Sequence, residues 1–280
     1  MTTLDKQRTT FVPGHDRLSF AGVVRSEVIK LTSLRSSVAL LLAIVVLGLG
    51  VSIALGLTLE DAGVPEVGSV GFMLDQVTIG TVLFGQIIAG VLGVLVITGE
   101  YSSGTIQSTL IAAPARLTVL GAKAIVLFLT ATASALGAQL ASWAVTYPMF
   151  AEFGIEIGLA EPGVLFALLG GSVYVGSAAV LGLGIGTLLR SVAAGVATVI
   201  SLILLLPIVL SVLPASTMVR NLHLLSMSKA GDAMSSAADG GGFMDLTDGY
   251  ISPLAGWLIA AVWAAVLLGL GAIQLRRKDA

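Results

Sequence analysis

The sequence has no cysteine and only two histidines among 280 residues, and Asp, Glu, Lys and Arg together make up 11% of it. The absence of cysteine excludes disulfides, thiolate metal ligands and thiol catalysis. His15 and His223 are far apart, and both lie outside the apolar runs described below, which argues against a histidine metal centre. Nucleotide and hydrolase signatures are missing as well. There is no Gly-x-x-x-x-Gly-Lys-[Ser/Thr], no His-Glu-x-x-His and no Gly-x-Ser-x-Gly. Gly182, Gly184 and Gly186 imitate a dinucleotide loop only in spacing, because they sit inside an apolar run with no strand before them. No catalytic residue and no metal ligand is therefore assigned.

What the chain has in excess is apolar residues, at 56%, with a mean hydropathy of +1.02. A soluble domain carries about 45–50% apolar and about 25% charged residues, so this composition excludes one. Six runs contain no Asp, Glu, Lys or Arg: 38–57, 77–98, 124–147, 163–189, 192–213 and 254–275. Each can cross about 30 Å of hydrocarbon as a helix. The expected fold is therefore an all-α polytopic membrane protein with six transmembrane helices.

Charge sets the expected orientation, since Lys and Arg gather on the cytoplasmic side. Residues 1–37, 99–123, 190–191 and 276–280 hold twelve basic and five acidic side chains, a balance of +7. The remaining loops hold Arg220 and Lys229 against eleven acids, a balance of −9. Both termini of this multi-pass protein are thus expected in the cytoplasm, and the resemblance described below implies a bacterial inner membrane. The first apolar run begins behind 37 mostly polar residues, too late for a simple cleaved signal peptide.

The remaining segments have distinct expected roles. Residues 1–16 read as a flexible cytoplasmic N-terminus, and 37–280 as one six-span domain. Residues 17–36 have a helical rhythm in Phe20, Val23, Val24, Val28, Leu31 and Leu34, with Arg25, Glu27, Lys30 and Arg35 between them. Such a basic amphipathic helix is expected at the membrane surface, as an anchor or as a shelf for a partner. Residues 99–123 form a structured inner loop, with Ser103 or Thr105 capping a short helix over 106–112 that Pro114 stops. In the outer loop, 216–234 reads as helical, with Met218, Leu222, Leu225 and Met234 near one side, and as re-entrant or interfacial. Pro207 is expected to bend the fifth span. Gln86 and Gln139, the most polar groups inside the spans, suit helix–helix hydrogen bonding, with substrate contact as the weaker alternative. Spans empty of charge argue against ion-coupled transport.

This layout, with its local sequence, resembles the permease subunits of type-2 ABC exporters, particularly actinobacterial ones. Glu100-Tyr101-Ser102-Ser103-Gly104-Thr105-Ile106, followed by Leu110, Pro114, Arg116 and Lys123, is similar to that family's Glu-x-x-x-Gly-Thr-[Ile/Leu] stretch. Arg25-Ser26-Glu27-Val28-Ile29-Lys30-Leu31 resembles its amphipathic first helix, and residues 230–234 and 275–280 also look like those members. The resemblance runs from about residue 17 to the end of the chain.

The resemblance implies a transport subunit that is not itself an enzyme and passes drugs, antibiotics, lipids or similar amphipathic or apolar substrates. Residues 99–116 would form a cytoplasmic coupling helix on a separate ATP-binding cassette protein. Glu100, Gly104, Thr105, Ile106, Pro114 and Arg116 would then be contact residues, aided by Arg25, Glu27 and Lys30. ATP and Mg would belong to that partner and no cofactor to this chain. A second permease copy, more often identical than not, and membrane lipid are the other implied partners, with no nucleic acid. The competing classes are a membrane-embedded sensor or scaffold and an ion-coupled secondary transporter.

Overall fold

The computed structural model describes residues 19–59, 70–105, 116–214, 216–236 and 251–277. These residues are helical, with no strand among them. In chain order the helices are α1 (Phe20–Ser33), α2 (Arg35–Leu57), α3 (Val70–Ser102), α4 (Arg116–Ala151), α5 (Val164–Leu189), α6 (Val192–Val212), α7 (Thr217–Leu224), α8 (Met227–Ser235) and α9 (Pro253–Arg277). Helices α2, α3, α4, α5, α6 and α9 are the six long and apolar enough to cross a membrane. The chain is a multi-pass membrane protein.

Helix α5 is the axis of the bundle. Its most apolar stretch is 78% buried, against 17% for α2 and α9, and it touches α3, α4, α6, α8 and α9. Glycine makes this contact close. A methyl group on Gly182 would overlap the Gly90 carbonyl, and one on Gly93 would overlap the Ala179 carbonyl, so α3 and α5 meet backbone to backbone. Tyr174, Leu181 and Leu183 are fully enclosed.

Several helices outrun the charge-free runs. α3 begins at Val70 and α4 at Arg116, so Asp75, Gln76, Glu100 and Lys123 are all helical. Nothing in these polar residues stops a helix; they only mark where the apolar slab ends. At the acidic end the chain between α4 and α5 also turns inward, burying Ile155 and Ile157 against Phe150 and Leu168, with Trp143 Nε1 donating to the Ile157 carbonyl at 3.2 Å.

The amphipathic first helix exists, but its buried face differs from the one the apolar spacing picks out. Ser19 caps α1 by accepting from Gly22 N at 3.1 Å. Val23, Glu27 and Leu31 are buried, whereas Phe20, Val28 and Leu34 are exposed. The carboxylate shares the inward stripe because lysines await it there, as described below.

The outer segment is re-entrant, and the expectation of one continuous apolar side is corrected. Ser226 ends α7 and caps α8. Met218, Leu222 and Leu225 are exposed, while Met227, Ala230 and Met234 of α8 are buried against α5 and α9. The depth follows from one contact. Trp263 Nε1 donates to the Leu225 carbonyl at 2.9 Å, and Trp263 lies ten residues into α9, about 15 Å along it. That is half of a slab about 30 Å thick. His223, although outside the six spans, is therefore buried within the bundle.

The same hairpin explains the distortion of α6. Pro207 has no N–H, so the Ile203 carbonyl four residues earlier loses its helical donor. The helix widens to a π turn over Ser201–Leu205. Ser228 Oγ, arriving from α8, donates to Ile203 O at 2.6 Å. In hydrocarbon such a carbonyl needs a partner. Ser228→Ala should therefore lower stability by about 1–3 kcal/mol, and adding Pro207→Ala should recover much of that loss by restoring the N–H. Thermal unfolding of the purified single and double variants in detergent measures this. Equal losses in Ser228→Ala with and without Pro207→Ala would contradict the account.

Candidate functional site

The basic residues converge on one end of the bundle. There the C-terminal half of α1, the end of α3, the start of α4, the α5–α6 turn and the end of α9 meet. Three contacts define this end. Lys30 reaches Glu100, Arg116 Nη1 donates to the Leu275 carbonyl at 3.2 Å, and the Arg190 guanidinium lies 5.0 Å above the Tyr101 ring. Asp75, Glu152, Glu156 and Glu161 belong to the other end of the same helices.

At the centre of the basic end, four side chains among the described residues form an ionic network. Lys123 Nζ donates to Glu27 Oε2 at 2.5 Å and to Glu100 Oε1 at 2.9 Å. Lys30 Nζ donates to Glu27 Oε1 at 2.8 Å and to the same Glu100 oxygen at 3.0 Å. Lys123 and Glu27 are only 2% and 4% exposed, while Lys30 is 37% exposed. Burial works against the charge on Lys30, but its bonds to Glu27 and Glu100 outweigh that, so its ammonium titrates above the ordinary lysine value. Two cations and two anions cancel, and a charge-neutral knot ties α1, α3 and α4 together.

The network borders a cavity of about 450 Å³ between α1 and the ends of α3 and α4, with an otherwise largely apolar lining.

Of the residues expected to act together, Glu27, Lys30 and Glu100 do meet. Arg25 is exposed on α1 and outside the network. Gly104 adopts φ +69°, a left-handed turn that ends the α3 segment, and Thr105 Oγ1 lies 2.8 Å from Ser103 Oγ. Arg116 is held on the Leu275 carbonyl, beside Tyr101. Ile106 and Pro114 lie outside the described residues, as does the short helix expected over 106–112. Sequence reasoning reaches Lys123 only through a motif and misses its place in the network. A direct signal exists, because a lysine immediately before a 24-residue apolar run must find a partner once the helix continues through it.

A second polar group lies near mid-slab. The Tyr174 hydroxyl donates to Gln86 Oε1, and Ser172 Oγ donates to Gln139 Oε1 at 3.2 Å, so both glutamines do join helices. Gln86 also borders two small cavities of about 30 Å³ each, lined further by Asp75, His223, Ser228, Lys229 and Asp232. This corrects the picture of a slab without ionisable groups. The spans themselves are uncharged, but the re-entrant hairpin carries His223, Lys229 and Asp232 into them. Each cavity has room for a water molecule or two and not for an organic substrate.

No protein-family model and no curated protein sequence matches this chain.

The network sets its own test. Lys123→Met leaves Glu27 and Glu100 to share Lys30 alone, with one charge uncompensated, and should cost about 3–5 kcal/mol, whereas Glu27→Gln with Lys123→Met leaves the Lys30–Glu100 pair intact and should be much closer to wild type. Urea or thermal unfolding of the three proteins compares them. A double variant as unstable as the single one would show that the charges are not what joins α1 to α4.

Proposed function

We propose that the chain is the transmembrane permease subunit of an ATP-driven exporter, acting with a separate ATP-binding subunit and a second permease copy. The reading rests on the ionic knot of Glu27, Lys30, Glu100 and Lys123. The loop expected to meet a partner joins α3 to α4, the helices that carry Glu100 and Lys123 of that knot. A displacement of this loop by a partner would be passed at once to α1, α3 and α4, because separating buried opposite charges is costly. The sequence motif around Glu100–Ile106 points the same way. In this reading the basic end faces the cytoplasm, as the charge imbalance predicts. The substrate is amphipathic or apolar, and it moves along a path that neighbouring copies or helix motion must open, since the spaces beside Gln86 are too small within one chain.

The test is affinity purification of the full chain from its native membrane, followed by ATP hydrolysis in proteoliposomes. An ATP-binding protein should co-purify. Arg116→Glu and Glu100→Gln should lower permease-dependent ATP turnover by at least about fivefold while membrane insertion and yield persist. Unchanged turnover in both variants would remove the loop from the coupling path.

One observation favours a second reading, ion-coupled secondary transport. His223, Lys229 and Asp232 gather around Gln86 near mid-slab, where ionisable groups serve proton or ion relays. A flux driven by a proton gradient without ATP, and abolished by Asp232→Asn, would select it. A flux that needs ATP and survives Asp232→Asn would dismiss it.

A further inference from the structure

We infer that the cavity beneath α1 is a phospholipid site, taking one acyl chain from the leaflet at the basic end while the headgroup stays at the surface beside α1. Polarity is graded along the cavity. Lys30, Ser33, Ser103 and Thr105 surround its outer mouth, whereas Leu95, Val96 and Leu127 form the inner wall, a helical turn or two deeper. This gradient matches an amphiphile that stands with its head at the surface.

Size and chemistry exclude the simpler contents. A volume of about 450 Å³ is in the range of ligand sites, about 300–1,000 Å³. Ordered water needs two to four polar partners. Glu27, Lys30, Glu100 and Lys123 already direct their charges at one another, and the deeper wall is leucine and valine. An alkyl chain fits that wall and water does not.

The source follows from the surroundings. α1 exposes Phe20, Ile29 and Leu34, at 49%, 57% and 52%, beside Arg25, Lys30 and Arg35. A helix with exposed aromatic and aliphatic groups next to cations lies at the boundary of headgroups and acyl chains, where phosphates are the complementary ions. The cavity therefore opens where phospholipid is already concentrated. Once seated, the chain would fill the space under α1 and brace the helix that carries Glu27.

Gly99 supplies the means of closing the site. It lines the cavity, and a Cβ added there meets nothing within 4 Å. Gly99→Phe should occlude the space without displacing backbone. The full chain is reconstituted alone in nanodiscs containing phosphatidylglycerol with a diazirine in one acyl chain, irradiated, and mapped by peptide mass spectrometry. Adducts are expected at Leu95–Val96 and Val126–Leu127 as well as at the lipid-facing Leu42 and Val46 of α2. Gly99→Phe should reduce the cavity adducts by about tenfold and leave those on α2 unchanged. Val96→Phe, which blocks the cavity from deeper in, should do the same and stands in if Gly99→Phe does not fold. Cavity adducts that persist in the folded variants, or preferential labelling of the cavity by a water-soluble diazirine, would overturn the assignment. The assay uses no ATP and no second subunit, so its result is independent of the export reading.

Discussion

Lys123 is 2% exposed and is met there by two carboxylates, and the arrangement of the basic end follows from that pairing. An ammonium taken out of water alone would be prohibitively costly. Glu27 must therefore turn inward on α1, which fixes the rotation of that helix and leaves Phe20, Val28 and Leu34 outside. Glu100 must remain helical beyond the apolar run of α3. Lys30 then closes the knot from the more exposed side. Hydrophobic contact between Val23, Val119 and Ala122 supports the same docking, but apolar contact alone would not select one rotation of α1 over another.

The same rule, that a polar group away from water must be met, operates in the middle of the slab with neutral groups. Pro207 creates a carbonyl without a donor, and Ser228 supplies one. Gln86 meets Tyr174, and Gln139 meets Ser172. Each pairing joins two helices that apolar packing alone would leave free to slide or rotate. The glycines of α3 and α5 bring the backbones close, and these hydrogen bonds set the register.

The spans are legible in the sequence because hydrocarbon excludes charge, and six runs without Asp, Glu, Lys or Arg have no other simple explanation. Their ends are less legible, since Asp75, Glu100 and Arg116 continue helices that the apolar criterion cuts short. The face of α1 is misread from sequence for a specific reason. Apolar spacing treats Glu27 as a solvent-facing residue, and only a lysine 96 positions later makes it a buried one. The hairpin at α7–α8 can be foreseen as a segment but not at its depth, because its anchors Ile203 and Trp263 are distant in sequence. Of the candidate coupling residues, Glu27, Lys30, Glu100 and Arg116 found partners in the fold, while Ile106 and Pro114 fall outside the described residues.

The depth of the re-entrant hairpin bears on how the protein is assembled. Helix α8 has its broadest contact with α9, which leaves the ribosome after it. Until α9 is in place, the pocket that receives Met227, Ala230 and Met234 is open on one side, and Lys229 and Asp232 gain nothing by leaving water. Insertion of the six spans therefore precedes docking of the hairpin. The pocket that holds the hairpin is closed only when α9 is in place.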